Sequence, residues 1–216
     1  MPAVLDFAGF MRMLRGAARA VEAGHEELSR LDSRGGDGDH GTTMLRAMRG
    51  LQRVVSESRS GSVADLLQAV GWEILGIDGG ATGPLFGSLF TGMAEAAAGK
   101  DAFDAGGLAS LFEAGLASVA RQTRARVGDK TMMDALIPAV GAMREGADAG
   151  EDISGVLRRA AEAAERGAAS TELLEARFGR AKNLGPRSVG GRDPGAMSVA
   201  ILLRGFVESS CEEWKE

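Results

Sequence analysis

The chain has no tyrosine, one cysteine, two histidines and five prolines among its 216 residues, and aromatic residues make up only 5% of it. A single cysteine, Cys211, cannot supply a disulfide framework or a thiolate metal site within the chain. The formal net charge is −5, and Lys and Arg are scattered, so no basic stripe exists to neutralise nucleic-acid phosphates. No uninterrupted apolar run approaches the roughly 18 residues of a membrane span. The opening MPAVLDFAGF carries Asp6 and lacks the basic lead and apolar run of a signal peptide. A soluble cytoplasmic protein with no nucleic-acid partner and no membrane partner is the expectation.

What is present is helical periodicity. About 44% of the chain is apolar, enough for a sizeable core, and its length fits one domain spanning 1–216. Apolar residues recur at spacings of three and four, beginning with Phe7, Phe10, Met11, Leu14, Val21 and Leu28. The same pattern returns in Met44–Val55, Val63–Ile74, Leu85–Met93, Leu108–Val119, Met132–Met143, Ile153 to about 174, and Val199–Val207. Pro84 fits the first turn of the fourth segment, and Pro138 should bend the sixth. Convincing alternating strands are absent. These patterns predict an all-α protein of roughly eight helices.

The 32 glycines concentrate in breaks at 35–41, 76–87, 128 and 185–195. The breaks alternate with ordinary turns, so an up-and-down arrangement would gather them at one end.

The sharpest chemical signal lies in Leu31-Asp32-Ser33-Arg34-Gly35-Gly36-Asp37-Gly38-Asp39-His40-Gly41. Asp32, Asp37 and Asp39 sit on a backbone that glycines allow to double back. Close carboxylates repel one another unless a cation lies between them. Oxygen ligands without thiolates select Mg²⁺ or Ca²⁺. An EF-hand fails on spacing: counted from Asp37, the sixth position is Thr42 and the twelfth is Met48, where a glutamate is required. Magnesium completed by phosphate and water fits better. The competing reading is a polar loop in which Asp32 or Asp39 caps a helix. His40, beside a helix start, is either a surface group or a donor to phosphate.

Three further loops have anion-binding features. Gly79-Gly80-Ala81-Thr82-Gly83-Pro84 leads straight into a helix, yet it is neither a P-loop nor a Rossmann fingerprint. Gly128-Asp129-Lys130-Thr131-Met132-Met133-Asp134 turns into another helix, with Met132 either a soft wall for a base or a core residue. Arg180 to Gly195 holds Arg180, Lys182, Arg187 and Arg192, then Asp193-Pro194-Gly195, which also reads as a plain cap with proline at the first helical position.

Together, Leu31–Met44, Gly79–Phe90, Gly128–Pro138 and Gly179–Ser198 resemble, in order, the L-type nucleotide-binding subunit of dihydroxyacetone kinases, which also occurs as the C-terminal domain of single-chain forms. The resemblance implies an antiparallel eight-helix up-and-down barrel with ADP or ATP and two Mg²⁺ ions at one end. It implies that Asp32, Asp37 and Asp39 ligate metal. It further implies that His40, Gly41, Thr42, Thr43, Ala81, Thr82, Met132, Arg180, Asp193, Pro194 and Gly195 contact the nucleotide, with His40 and Arg180 positioning phosphate. The departures are Thr82 for the usual Ser, Thr123 where a glycine contact occurs, Lys182-Asn183 for Ser-Tyr, and Pro186 for Glu.

The activity implied is phosphoryl transfer to dihydroxyacetone or a related small ketose, held by a separate K-type subunit. The phosphate source is either exchanging ATP or bound ADP recharged by a phosphotransferase-system protein bearing phosphohistidines. This chain is not that relay, since its histidines are only His25 and His40. An alternative is an ADP/Mg²⁺-binding regulator acting on a transcription factor, and a third reading is a structural bundle with incidental acidic loops. Oligomeric state is left open, a homodimer included.

Overall fold

The computed structural model describes residues 4–211, with the side chains of Ser210 and Cys211 outside the description. The start of the MPAVLDFAGF segment and the Cys211 thiol therefore lie outside the described residues. Eight α-helices are present among the described residues: α1 Phe7–Asp32, α2 His40–Glu57, α3 Val63–Leu75, α4 Thr82–Ala97, α5 Ala105–Gln122, α6 Met133–Asp148, α7 Ile153–Ser170 and α8 Pro194–Cys211. Each packs on the next in the chain, and α8 packs on α1, so the helices close into a ring. The all-α expectation holds. One addition is a two-residue antiparallel pair, β1 Leu5–Asp6 with β2 Ala102–Phe103, too short to leave an alternating pattern.

Ring closure depends on close backbone approach. A Cβ on Gly16 of α1 would lie 2.5 Å from the Gly205 carbonyl oxygen of α8, and a Cβ on Gly205 would lie 2.7 Å from that of Gly16. The interior is filled by the predicted apolar faces, including Phe10, Leu14, Met44, Met48, Leu66, Phe112 and Phe206, all fully buried, while in α4 Phe86 is buried and the predicted Leu85 only partly so. Phe10 meets Phe103 edge to face at 5.6 Å, and Phe112 meets Phe206 at 6.1 Å. Pro138 lies inside α6, which runs unbroken from Met133 to Asp148.

The connections sort by end. Those following α1, α3, α5 and α7 contribute to one cavity, while β1 and the α4–α5 connection pair with each other away from it. The helix starts differ accordingly. At the far end α1, α3, α5 and α7 are capped by the side chains of Asp6, Ser62, Asp104 and Asp152. At the cavity end α2, α4 and α6 receive no hydrogen bond from the side chain of their own cap residue. The positive dipole ends of α2, α4 and α6 thus meet at the cavity, whereas α8, which also starts there, is capped by the side chain of its own Asp193.

Candidate functional site

The cavity measures about 620 Å³. Among the predicted residues, Asp32, Asp39, His40, Ala81, Thr82, Met132, Arg180, Asp193, Pro194 and Gly195 line it. Asp37 adjoins through the carboxylate cluster: Asp32, Asp37 and Asp39 each offer an oxygen, and these oxygens lie within 4.8 Å of one another. Gly41, Thr42 and Thr43 lie off the lining. Gly41 instead lets α2 rest on α1, since a Cβ there would strike the His25 carbonyl and Ser29. Thr43 is buried, accepts from Arg46 at 3.2 Å, and packs against Gly79 of the α3–α4 loop. Thr42 is exposed.

The acidic loop divides its work. One Asp32 oxygen accepts the Gly38 N–H at 3.0 Å and the His40 N–H at 3.4 Å, so Asp32 does cap α2, from eight residues upstream. Asp39, the residue at the cap position, makes no such side-chain bond. Capping therefore accounts for Asp32 but not for Asp37 or Asp39. Arg180, from the 3₁₀ segment Arg180–Ser188, pairs with Asp37 and reaches Asp39 at 3.8 Å. A cation already faces this cluster, which fits a site for positive charge. Three half-exposed carboxylates with no competing thiolate or imidazole ligand suit a hard divalent ion such as Mg²⁺.

His40 turns both ring nitrogens to protein groups. Nε2 lies 2.8 Å from the Ser198 hydroxyl and Nδ1 lies 3.2 Å from that of Thr82. Ser198 donates to the Pro194 carbonyl at 3.0 Å. In that arrangement Nε2–H donates to Ser198, and Thr82 donates to Nδ1. Burial lowers the His40 pKa, against the opposing pull of Asp32, which favours this neutral form. The ring thus joins α2, α4 and α8 at the cavity floor.

Asp193 caps α8 through the Ala196 N–H at 2.7 Å, and the following Pro194 opens the helix, as the capping alternative requires. Although the residue is half-buried, its carboxyl is enclosed, and burial pushes its pKa up to about 7, against the lowering effect of the Ala196 bond. Met132 is buried and also lines the cavity, so the core and wall readings both hold.

Residues 35–208 match the DAK2 domain. The chain belongs to the DAK2-domain family. It is 34% identical over 199 residues to the ADP-binding subunit DhaL of PEP-dependent dihydroxyacetone kinase 1 from Listeria innocua, covering 92% of this chain and 94% of the relative. It is 35% identical over 179 residues to the DhaL subunit from Escherichia coli, covering 83% and 85% respectively. The DAK2 fold also superposes, with a TM-score of 0.73 and 25% identity, on dihydroxyacetone kinase from C. freundii in complex with AMP-PNP and Mg²⁺. That match covers 92% of this chain and 33% of the kinase.

Several residues of this DAK2 chain at the cavity were not singled out by spacing. Arg34 packs against Gly190 and Gly191, Phe178 and Gln122 line the cavity, and Lys130 is buried in its wall. Arg34 and Lys130 stood inside quoted loops, but nothing in their spacing distinguishes them from solvated cations. Among the described residues no helix is long and apolar enough to cross a membrane.

Proposed function

We propose that this chain is the nucleotide-holding subunit of a dihydroxyacetone-kinase-type phosphotransferase and that it grips ADP or ATP through magnesium ions at Asp32, Asp37 and Asp39. The observation that carries the reading is the meeting of that carboxylate cluster with three helix starts on one cavity. Magnesium, when bound there, supplies charge neutralisation for the phosphate oxygens.

The chain's own groups do the rest. The N–H groups opening α4 face the cavity and suit an anion. His40 accepts the Thr82 hydroxyl proton and so steadies the start of α4, which is a positioning role. Arg180, paired with Asp37 and near Asp39, would be free to turn to phosphate if a metal were held by those carboxylates. Met132 and Phe178 offer an apolar wall to the base.

In this reading the acceptor, a small ketose, comes on a K-type partner subunit. A phosphotransferase-system protein that recharges bound ADP fits the same site, as does exchanging ATP. The test is an assay of the purified chain with dihydroxyacetone and ATP, alone and with a K-type subunit added. Turnover only with the partner supports the reading; brisk turnover by the chain alone defeats it.

A further inference from the structure

Lys130 has a combination of properties that the nucleotide reading has not used. Among the described residues it is the one non-glycine residue with a positive φ, at 59°. Such a backbone persists only where its surroundings over-determine it. Here the Gly128 and Thr131 N–H groups, on either side of it, donate at 2.6 and 2.7 Å to the carboxylate of Asp134, which is 1% exposed. The turn is thereby pinned so that the Lys130 side chain runs inward, leaving the residue 6% exposed.

Its ammonium group donates to the Thr171 carbonyl at 2.5 Å and to the Gly191 carbonyl. Both acceptors are neutral carbonyls, and the carboxylates of Asp193, Glu172 and Asp134 act on the charge from nearby, an arrangement that an apolar filler would avoid. Thr171 is the cap residue just after α7, and Gly191 precedes α8. Thr171 is itself fully buried, and its hydroxyl accepts the Asp193 N–H at 2.8 Å. The Gly190 N–H donates to Glu172 at 2.8 Å. Lys130, on the α5–α6 connection, therefore ties together the two ends of the α7–α8 connection, and Asp193, Pro194 and Gly195 of the cavity wall follow directly from that junction.

We infer that Lys130 is a positioning residue of the nucleotide pocket: its ammonium group ties the end of α7 to the turn before α8 and holds the Asp193-Pro194-Gly195 wall in its binding arrangement. The inference rests on the nucleotide-holding reading. It assigns Lys130 no contact with the reacting phosphate.

The test compares Lys130→Met and Lys130→Gly with the unsubstituted protein. Lys130→Met keeps the stem and loses the ammonium; Lys130→Gly loses both but relieves the left-handed backbone. ADP affinity in magnesium is measured by calorimetry well below each unfolding midpoint, alongside amide exchange across residues 171–195. Both variants should bind ADP at least tenfold more weakly and exchange faster at Thr171 and Asp193. Lys130→Gly should unfold later than Lys130→Met yet bind no better, which separates positioning from bulk stability.

A folded variant that binds ADP within twofold of the parent would overturn the inference. So would an affinity that simply tracks the unfolding midpoint, or failure of both variants to fold, either of which makes the role structural only. If the unsubstituted protein itself does not bind ADP, the underlying nucleotide reading fails, a result distinct from these.

Discussion

Arg180 forms an ion pair with Asp37 across the cavity mouth, so a side-chain cation occupies the approach to the carboxylate cluster. A metal held by these carboxylates would compete with the guanidinium for the same oxygens, and a bound phosphate would offer Arg180 another partner. Arg180→Gln should weaken ADP binding in magnesium at least tenfold while tightening magnesium binding in the absence of nucleotide. Parallel calorimetric titrations with MgCl₂ and with MgADP read both effects. A loss of affinity in both titrations would contradict the exchange.

The three aspartates should separate by stability. Asp32 accepts the Gly38 and His40 N–H groups at the start of α2, whereas Asp37 and Asp39 make no capping bond there. Asp32→Ala should cost about 1 kcal/mol of folding stability as well as metal binding. Asp37→Ala and Asp39→Ala should lose metal-dependent binding with little change in the unfolding midpoint, since removing one carboxylate relieves repulsion. Thermal denaturation in chelator distinguishes them.

Asp193 makes stability depend on pH. Its carboxyl, raised by burial from 3.8 to about 7, binds a proton more tightly in the folded chain than in the unfolded one. Its favourable contribution is therefore complete below about pH 4 and is lost as pH rises through about 7. Asp193→Asn, still a good cap, should remove that decline and gain roughly 2–4 kcal/mol relative to the parent at pH 8. Urea denaturation of the nucleotide-free protein at pH 4, 6 and 8 measures it; parallel curves for the two proteins would contradict it.

The ring should be sensitive where α1 and α8 touch. Gly205→Ala places a methyl group 2.7 Å from the Gly16 carbonyl oxygen. It should cost about 1–3 kcal/mol. Gly141, which has no neighbour near its missing Cβ, is the control, and Gly141→Ala should be neutral or stabilising. Both effects are read from urea midpoints.

Much of this architecture was legible in the sequence because a barrel helix buries one face. The spacing of Phe10, Leu14, Val21 and Leu28 reports that face directly, and each is fully buried. The grouping of the glycine-rich breaks followed from alternation alone. The short β1–β2 pair left no signal, being two residues long on each side. The carboxylate trio was visible because like charges in close sequence need a reason. The His40–Ser198 bond was not, since 158 positions separate the pair and each residue looks ordinary by itself. Lys130 was hidden for the opposite reason: in sequence it resembles any turn lysine, and only the fold shows its ammonium group buried on two carbonyls.

Titrating the purified chain with ADP in a calorimeter, once in magnesium and once in chelator, tests the central claim most directly. The account predicts micromolar or tighter binding in magnesium, abolished by chelator and by Asp37→Ala. Absence of binding in magnesium, or binding that chelator leaves unchanged, would contradict it.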